Sequence, residues 1–376
     1  MMQVFLERGR VIARPKGESS FHVFYLLFAS IIDGVESSND VQLDPNAEYR
    51  YLDPLSRMRN DGERRELVRQ FLRLLDDMAL LGIDSKAQND LCRTLAAIVL
   101  LGNVQFCRKG TDGSLGTDTD DSECTVDPAC CDGPLLSQYL GVADISQLLT
   151  TKVIPGGRTS SFYQVGLTGS QARANADNLA TGLYYKLFGW VVTVANSKSK
   201  LSVESCASTG RRLSAASHSN YVGILDMCGF EMSENNSSFE QLCVNYCNEK
   251  LYSVFYSEIF ASELALLTSE GCPHTVPGGY DNTPCLSLLE GETGLIRLID
   301  EHCVLSRAGQ DDSTLLSLFC QHHPKNTHFE CGLLAKRRSV GETRFKVQHY
   351  RGPVVYDITG FMNGNSEKIE IDSMLE

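Results

Sequence analysis

The sequence predicts an α/β protein in which helices predominate. Long segments repeat apolar residues at helical spacing, and the apolar run at residues 221–226 is typical of a strand buried on both faces. The chain has 376 residues, of which 42% are hydrophobic and 22% are charged, as in ordinary globular proteins. This length allows two or three domains with sizeable cores.

The N-terminal part is predicted to be helical. Residues 18–33 form an aromatic-rich apolar run whose length favours a buried helix over a strand. Residues 63–81 place apolar side chains at helical spacing. A capping box of Ser85 and Gln88 then predicts a further helix that ends near residue 101.

Two surface loops and a linker are predicted next. Residues 108–133 are rich in Gly, Ser, Thr and Asp and are expected to form an acidic surface loop. A short helix over 134–149 precedes a second, turn-rich surface loop at 152–170. A long amphipathic helix is expected over 171–194, and the Ser-rich residues 196–219 are interpreted as a linker between two parts of the chain.

Charge and cysteine content argue against several classes of protein. The formal net charge of −13 disfavours a protein that follows nucleic-acid phosphates, because such proteins carry clustered Lys and Arg. The N-terminus is too polar for a secretory signal, and no run approaches the roughly 20 apolar residues of a membrane helix. The 14 cysteines are therefore interpreted as reduced thiols of a cytosolic protein.

A structural zinc site is an alternative near the C-terminus. The segment CQHHPKNTHFEC supplies suitable ligand types, but their irregular spacing fits no standard zinc finger, so a surface loop is the preferred interpretation. Beyond it, Phe345, Val347 and His349 alternate before a second short run at 354–358, which predicts a hairpin or bent strand pair.

The end of the predicted strand carries residues suited to phosphate chemistry. Asp226 has the character needed to orient a Mg²⁺-bound water, so an indirect metal contact is expected there. Gly229 would let a backbone N–H approach a γ-phosphate without a side chain in the way. Glu231 adds a second carboxylate. This short pattern also occurs by chance in many proteins, so it predicts a nucleotide site only in combination with the adjoining helical segment.

A long helix is predicted directly after this motif. Ser237 and Ser238 offer caps, with partners in Glu240 and Gln241. Apolar side chains then continue at helical spacing towards residue 270, which corresponds to a rod of roughly 50 Å at 1.5 Å per residue. Such a rod is suited to carrying a small motion to a distant place. An ordinary core helix is the alternative interpretation.

Six ordered stretches of the chain resemble the motor domain of the myosin heavy chains. GILDMCGFE followed by NSSFEQLCVNYCNEKL is similar to the switch II segment and the start of the relay helix. LERGRVIARPKGESSFHVFYLLF, TLAAIVLLGNVQF and NLATGLYYKLFGWVV are similar to earlier family blocks. DNTPCLSLLEG and FKVQHYRGPVVYDITGFMNGN are similar to later ones, so the resemblance covers about residues 4–365.

The resemblance implies a P-loop NTPase-type fold of which this chain is a central fragment. Residues 1–215 would belong to the upper actin-cleft subdomain, and residues 216–376 to switch II, a relay helix at 238–270 and the lower actin-cleft subdomain, with part of the central sheet. The sequence has no GxxxxGK[ST] loop and no segment like switch I. ATP and Mg²⁺ are therefore expected as cofactors of the complete motor and not of this chain alone.

The resemblance also implies roles for individual residues. Gly229 and Glu231 are expected to be catalytic, with the amide of Gly229 meeting the γ-phosphate. The switch II contacts to nucleotide are expected from Asp226, Met227, Cys228, Gly229, Phe230 and Glu231. Relay roles are implied for Phe239, Glu240, Asn248 and Glu249. The segment 281–305 resembles a helix-loop-helix that meets actin, and its expected contacts are Asp281, Asn282, Pro284, Cys285, Leu288 and Leu289.

The implied function is that of an actin-based, ATP-driven cytoskeletal motor. The actin filament is the expected partner, calmodulin-like light chains would bind regions outside this chain, and a cytoplasmic, cytoskeletal location follows. The alternative is a non-hydrolysing actin-binding or scaffold fragment, or an incomplete gene model. Two departures from the family are notable: one extra residue between Glu231 and the helix, with Ser233 where an aromatic residue is usual, and the acidic insert at 111–132.

Overall fold

The computed structural model divides the chain into two compact units, one within Met1–Asn220 and one within Tyr221–Lys368. The assignment of these parts to upper and lower cleft subdomains stays a prediction. Along the described parts of the chain, no helix combines the length and apolar character that crossing a membrane requires. The structure describes residues 6–14, 17–38, 40–53, 60–109, 115–116, 123–128, 133–155, 162–207, 224–232, 237–272, 281–305, 312–331 and 343–366.

The first unit contains helices and two small antiparallel sheets. One sheet has the order β2-β1-β3 and the other is the pair β4-β5. Short 3-10 turns lie at Arg8–Val11 and Glu36–Ser38. In chain order the elements are α1 His22–Ile32, α2 Asp61–Leu80, α3 Ser85–Asn103, β1 Phe106–Lys109, β2 Leu115–Gly116, β3 Cys124–Val126, α4 Gly133–Leu140, α5 Ile145–Thr150, β4 Thr151–Pro155, β5 Phe162–Gly166 and α6 Gly169–Ala207.

The core of the first unit lies between α1, α3 and α6. Phe28 of α1, Ile98 of α3 and Ala180 of α6 are fully buried there, among other apolar side chains. The helices predicted over 18–33 and 63–81 are confirmed as α1 and α2. Their apolar faces form because period-3.6 patterning places aromatic and aliphatic side chains on one side of each helix.

The predicted capping box of α3 is wrong in its residues. Asp84 is the N-cap, and its carboxylate accepts a hydrogen bond from the N–H of Ala87. The Gln88 side chain instead donates to the carbonyls of Leu75 and Ile83, at 3.0 and 3.2 Å. An aspartate one residue earlier competes for the cap because its oxygen already reaches the N3 amide.

Arg173 of α6 closes the other end of α3. Its guanidinium donates to the carbonyls of Leu101 and Val104, both at 2.8 Å, and to that of Gly102 at 3.3 Å. The last carbonyls of a helix have no partner within the helix, so the half-buried guanidinium of Arg173 is an effective cap. Arg173 also donates to the hydroxyl of Tyr51 at 3.1 Å, which joins the cap to the unit's core.

Both predicted surface loops contain strands. The described part of 108–133 contributes to the sheet of β1, β2 and β3, in which Phe106 pairs with Val126. The segment 152–170 forms the hairpin β4–β5, with Thr151 paired to Gly166. The turn residues of both segments were visible in the sequence, but the few β-branched and aromatic residues beside them were enough to form strands.

Helix α6 continues through the first part of the predicted linker. Residues 196–207 are helical, so the linker interpretation is wrong for them, while 208–219 lie outside the described residues. No glycine or proline follows Gly189 within this helix. Serine is a moderate helix former, and the Ser197 hydroxyl donates back to the Thr193 carbonyl at 2.9 Å, so the serine content did not end the helix.

The described residues of the second unit form helices and an antiparallel sheet with the order β6-β7-β8. Its helices and strands are α7 Phe239–Phe255, α8 Ser262–Ser269, α9 Thr283–Glu290, α10 Leu295–Leu305, α11 Asp312–His322, β6 Phe329–Cys331, β7 Arg344–His349, β8 Gly352–Asp357 and α12 Phe361–Ser366. The hairpin predicted from the alternation of Phe345, Val347 and His349 is confirmed as β7 and β8, with all three side chains buried.

The long helix predicted over 238–270 is confirmed, with a π-helical turn inside it. The rod runs as α7, then a π-helical segment at Tyr256–Ala261, then α8. Its capping box uses Ser238 and Gln241, since the Ser238 N–H donates to the Gln241 side chain at 2.8 Å. Gly271, with φ of 69°, follows its end.

The strand predicted at 221–226 is not present in the described residues. Residues 224–232 form neither a helix nor a strand, and Ile224 and Leu225 are 92% and 71% exposed. Residues 221–223 lie outside the described part. A strand buried on both faces needs neighbouring strands and covering helices. The described sheets are small and antiparallel, so the predicted share of a central sheet is also not found among them.

Gly102 is expected to tolerate no side chain. A Cβ there would lie 2.9 Å from the ring of Tyr51, which is 1% exposed and fixed by its hydroxyl contact to Asp177 at 2.5 Å. We predict that Gly102→Ala lowers the free energy of unfolding by about 1–3 kcal/mol through overpacking. Gly189→Ala, where no atom lies within 4 Å, is the control and should be neutral or stabilising by up to about 1 kcal/mol.

Denaturant unfolding of both variants checks this prediction. Equal midpoints for Gly102→Ala and Gly189→Ala would contradict it.

His323 makes the second unit sensitive to acid. Its Nε2–H donates to the Thr293 carbonyl at 2.8 Å, and its ring packs against Phe329. Burial lowers the pKa of His323 below its ordinary value, outweighing that hydrogen bond. The unfolded chain therefore takes up a proton at higher pH than the folded chain, and the contribution to stability is lost as pH falls below about 6.5.

We predict that His323→Gln flattens the pH dependence of unfolding between about pH 7.5 and 5.5. The neighbouring exposed His322→Gln is the control and should keep most of the wild-type dependence, because burial, and not the charge of His322, is the main cause of the lowered pKa of His323. Denaturant midpoints at both pH values measure the difference. An unchanged slope in His323→Gln would show that another group titrates.

Candidate functional site

The predicted phosphate-sensing residues lie on one exposed loop of the second unit. Asp226, Met227, Cys228 and Gly229 are exposed, whereas the next two residues, 230–231, are half-buried. The carboxylate of Asp226 and the amide of Gly229 thus lie at the surface of this unit. A Cβ added at Gly229 would meet no atom within 4 Å, so the space beside its α-carbon is open within this unit.

Phe230 anchors the end of this loop. Its ring contacts His349 and Tyr350 edge-on, with centroid distances of 5.2 and 5.4 Å. Edge-to-face aromatic pairs are favourable beyond the apolar area that they bury. The anchor fixes the loop against the β7–β8 hairpin just before Glu231.

Two asparagines of α7 hold the loop backbone. Asn245 accepts from the Glu231 N–H at 2.8 Å and donates to the Glu231 carbonyl at 2.9 Å. Asn248 donates to the Cys228 carbonyl at 3.0 Å. The loop is therefore bonded directly to the helix, and a displacement of its backbone would act on α7 at two points.

A buried polar network extends from this contact. Asn245 also donates to the Tyr356 hydroxyl at 2.8 Å, and that oxygen lies 2.8 Å from Nε2 of His349. Nδ1 of His349 lies 3.1 Å from a carboxylate oxygen of Glu249. All four side chains are fully buried, so each hydrogen bond replaces one to water that burial has removed.

Glu249 is the charged end of the network. It accepts from the Asn282 side chain at 2.6 Å and the Tyr350 N–H at 2.8 Å, besides its contacts to His349 and, at 3.5 Å, the Cys285 thiol. Burial raises the pKa of Glu249, but the hydrogen bonds from His349, Asn282 and Tyr350 together lower it more, so its pKa lies below the ordinary value.

The other predicted relay residues lie at the start of α7. Phe239 packs edge-on against Phe361 at a centroid distance of 5.5 Å. Glu240 accepts from the Ser238 hydroxyl at 2.5 Å. Together with Asn248 and Glu249 they are on one helix, but only the latter two contact the loop or its supporting network. Their mechanical role stays a prediction.

The predicted helix-loop-helix at 281–305 forms as α9 and α10. Asp281 and Pro284 are exposed there. The remaining predicted contact residues are buried, with exposed fractions between 0% and 4%. In this conformation they pack beneath the surface and do not reach it. These are Asn282, Cys285, Leu288 and Leu289.

The zinc alternative near residues 320–331 is not supported within the described residues. His323 and His328 place a ring nitrogen 2.8 Å from the backbone carbonyls of Thr293 and Gln348. Within the described residues, a carboxylate, a thiol and an imidazole come together at a different place, where Glu249, Cys285 and His349 meet at the end of the buried network.

Sequence reasoning missed Asn245, His349 and Tyr356 as parts of the site. His349 was recognised only as a member of an alternating strand pattern. Asn245 had a visible signal, since it is a polar residue on the apolar face of α7, four positions before Glu249. A buried polar residue on such a face needs hydrogen-bond partners, and here the partners are the loop and the sheet.

The Tyr356 hydroxyl is expected to contribute to folding beyond its ring. We predict that Tyr356→Phe destabilises the second unit by about 1–3 kcal/mol, because Asn245 and His349 each lose a partner in a fully buried place. Tyr246→Phe is the matched control, since that hydroxyl bonds Glu290 at the surface, and it should cost about 0–1 kcal/mol.

The free energy of unfolding of both variants is measured in urea, and the comparison holds when its slope against urea concentration is the same as in the wild type. Equal losses for Tyr356→Phe and Tyr246→Phe would refute a stabilising network.

Comparisons with known proteins agree in one family. The family model described as Myosin head (motor domain) matches residues 1–375. The chain is 33% identical to the myosin IE heavy chain of Dictyostelium discoideum over 97% of its length and 34% of that protein's. It is 30% identical to unconventional myosin-Va of Homo sapiens over 98% of the chain and 18% of that protein.

Myosin-2 of Saccharomyces cerevisiae is 29% identical over 99% of the chain and 22% of its own length. The chain thus spans about a third or less of the relatives that it matches. The match of the family model extends over both compact units, including the loop at 226–231 and the helix α7. The chain therefore belongs to the myosin head (motor domain) family.

Proposed function

We propose that this chain is the switch and relay part of an actin-based, ATP-driven cytoskeletal motor. The observation that carries the proposal is the bonding of the loop at 226–231 to α7 through Asn245 and Asn248. Membership of the myosin head family supports it. In this proposal the loop senses the γ-phosphate of ATP, and the long helix carries the resulting movement.

The chemistry of the loop suits phosphoryl transfer. Catalysis of that reaction consists of positioning and electrostatic stabilisation. Asp226 would orient a water bound to Mg²⁺, and the amide of the exposed Gly229 would donate to a γ-phosphate oxygen. Asn245 bonds both the N–H and the carbonyl of Glu231, and so holds the backbone on both sides of its α-carbon, which would position the Glu231 carboxylate for its expected catalytic role. The remaining groups that bind ATP in this family would come from other parts of the motor.

The actin filament is the proposed partner, with α9 and α10 as the contact. Asp281 and Pro284 are the predicted residues that reach the surface there. Asn282 donates to both the backbone carbonyl and the carboxylate of Glu249, at 2.9 and 2.6 Å. The start of α9 is thereby tied to α7, so a movement of the relay helix would also act on the proposed actin-binding helices. Light chains would bind elsewhere, and the location is cytoplasmic and cytoskeletal.

A non-hydrolysing actin-binding or scaffold protein is the second candidate. It is favoured by the exposure of Ile224 and Leu225 beside Asp226, because a working switch loop continues from a buried strand. The isolated chain is accordingly expected to show no ATP turnover. In the motor, other parts of the native protein would cover Ile224 and Leu225 and supply the remaining ATP-binding groups beside this loop. In the second candidate they would not.

The test uses the longest native form of the protein, whose mass an immunoblot gives. Binding to actin filaments by co-sedimentation, release by ATP and actin-activated ATP hydrolysis are all expected for the motor. Glu231→Ala should lower ATP turnover by at least about 10²-fold and leave co-sedimentation without ATP unchanged. Actin binding without any hydrolysis in the wild type would select the second candidate. Full turnover by Glu231→Ala would refute the role of that residue.

Gly229→Ala separates phosphate sensing from folding. An added methyl group meets no atom of this unit, so the free energy of unfolding should change by less than about 0.5 kcal/mol. In the native protein the same methyl group would block the approach of the amide to phosphate, and ATP should no longer release the protein from actin. Gly189→Ala, equally open but in the first unit, should keep normal release. Normal release by Gly229→Ala would contradict the proposed amide contact.

A further inference from the structure

Three ligand atoms of different chemistry meet at the end of the buried network. The carboxylate Oε1 of Glu249 lies 3.5 Å from Sγ of Cys285 and 3.1 Å from Nδ1 of His349. The Sγ and Nδ1 atoms are 3.8 Å apart. All three side chains are fully buried, and they come from α7, α9 and the end of β7.

These separations match the edges of a small metal-ion site. A tetrahedral Zn²⁺ site with sulfur at about 2.3 Å and nitrogen and oxygen at about 2.0–2.1 Å has ligand–ligand edges of roughly 3.3–3.6 Å. Each observed separation lies within a few tenths of an ångström of that range. We propose that Glu249, Cys285 and His349 bind one borderline-soft divalent cation of the Zn²⁺ class.

The surroundings of the three ligands already provide an outer shell. Nε2 of His349 lies 2.8 Å from the Tyr356 hydroxyl, which fixes the ring with Nδ1 towards the other ligands. The Asn282 side chain and the Tyr350 amide donate to the Glu249 carboxylate. Partners of this kind orient metal ligands and are as much a part of a metal site as the ligands themselves.

The donor set selects the class of cation. Imidazole and thiolate suit Zn²⁺ and Co²⁺, whereas Mg²⁺ and Ca²⁺ require oxygen ligands. Binding releases the proton of the Cys285 thiol to solvent, and His349 binds through Nδ1 as a neutral imidazole whose remaining proton is on Nε2, beside the Tyr356 hydroxyl. The thiolate and the carboxylate then balance the two charges of the cation, so the buried site becomes neutral.

A bound cation would join three elements of the second unit. Glu249 is one helical turn beyond Asn245, whose side chain holds the loop at 226–231. The cation would therefore fix α7 to α9 and to the β7–β8 turn, and raise the stability of the unit by mass action. This inference concerns the chain itself and does not depend on the proposed motor function.

Co²⁺ is the probe for the test, because thiolate coordination gives it a charge-transfer absorption. The chain is refolded with Co²⁺, since the ligands are buried in the folded unit. All proteins tested, including the parent, carry Ser in place of the exposed Cys228, Cys247 and Cys272 to reduce binding at surface thiols. We expect one equivalent of Co²⁺, a thiolate charge-transfer band, displacement by Zn²⁺ and a raised thermal midpoint.

Cys285→Ser should lose the band, while Cys92→Ser, a buried cysteine of the first unit, should keep it. X-ray absorption at the cobalt edge of the parent chain should show one sulfur ligand together with nitrogen and oxygen ligands. Because this measurement uses the parent chain, it does not depend on whether the variants fold. Absence of a band after refolding, a band that survives in Cys285→Ser, or a shell without sulfur would each overturn the proposal.

Discussion

The carboxamide of Asn245 makes three hydrogen bonds that no other side chain of similar size could make together. Its oxygen accepts from the Glu231 amide, and its nitrogen donates to the Glu231 carbonyl and to the Tyr356 hydroxyl. An ionised aspartate would supply acceptors but no donor, and a leucine would supply neither a donor nor an acceptor. The loop, the long helix and the sheet of the second unit all meet at this one side chain, and the position of the loop depends on it.

The network beyond Asn245 gives α7 a fixed register against its neighbours. A buried carboxylate without partners is costly, and Glu249 has several, provided by α9, by His349 and by the Tyr350 amide. Sliding or rotating α7 by one residue would separate Glu249 from all of these partners at once. The helix is thereby held in one place near the loop, while its far part, with Val254 and Phe255 about half exposed, is held by fewer contacts.

Local signals in the sequence predicted local structure well. The Ser238–Gln241 capping box and the helices α1 and α2 follow from capping residues and apolar spacing along the chain, whereas α9 and α10 were predicted only from the resemblance of 281–305 to the family. The strand at 221–226 failed because a strand is defined by its neighbours, and the described residues supply none. The bond between Asn245 and Tyr356 joins positions 111 residues apart, so nothing in either segment alone indicates it.

The π-helical turn at Tyr256–Ala261 changes the geometry of the rest of the rod, from Ser262 onwards. A turn of this kind contains one residue more than an α-helical turn, and each residue of an α-helix advances the direction of its side chain by about 100°. The side chains of α8 are therefore rotated by about that angle from where an unbroken helix would place them. Apolar residues on either side of the turn do not form one straight stripe, so any segment that covers both must wind around the helix axis.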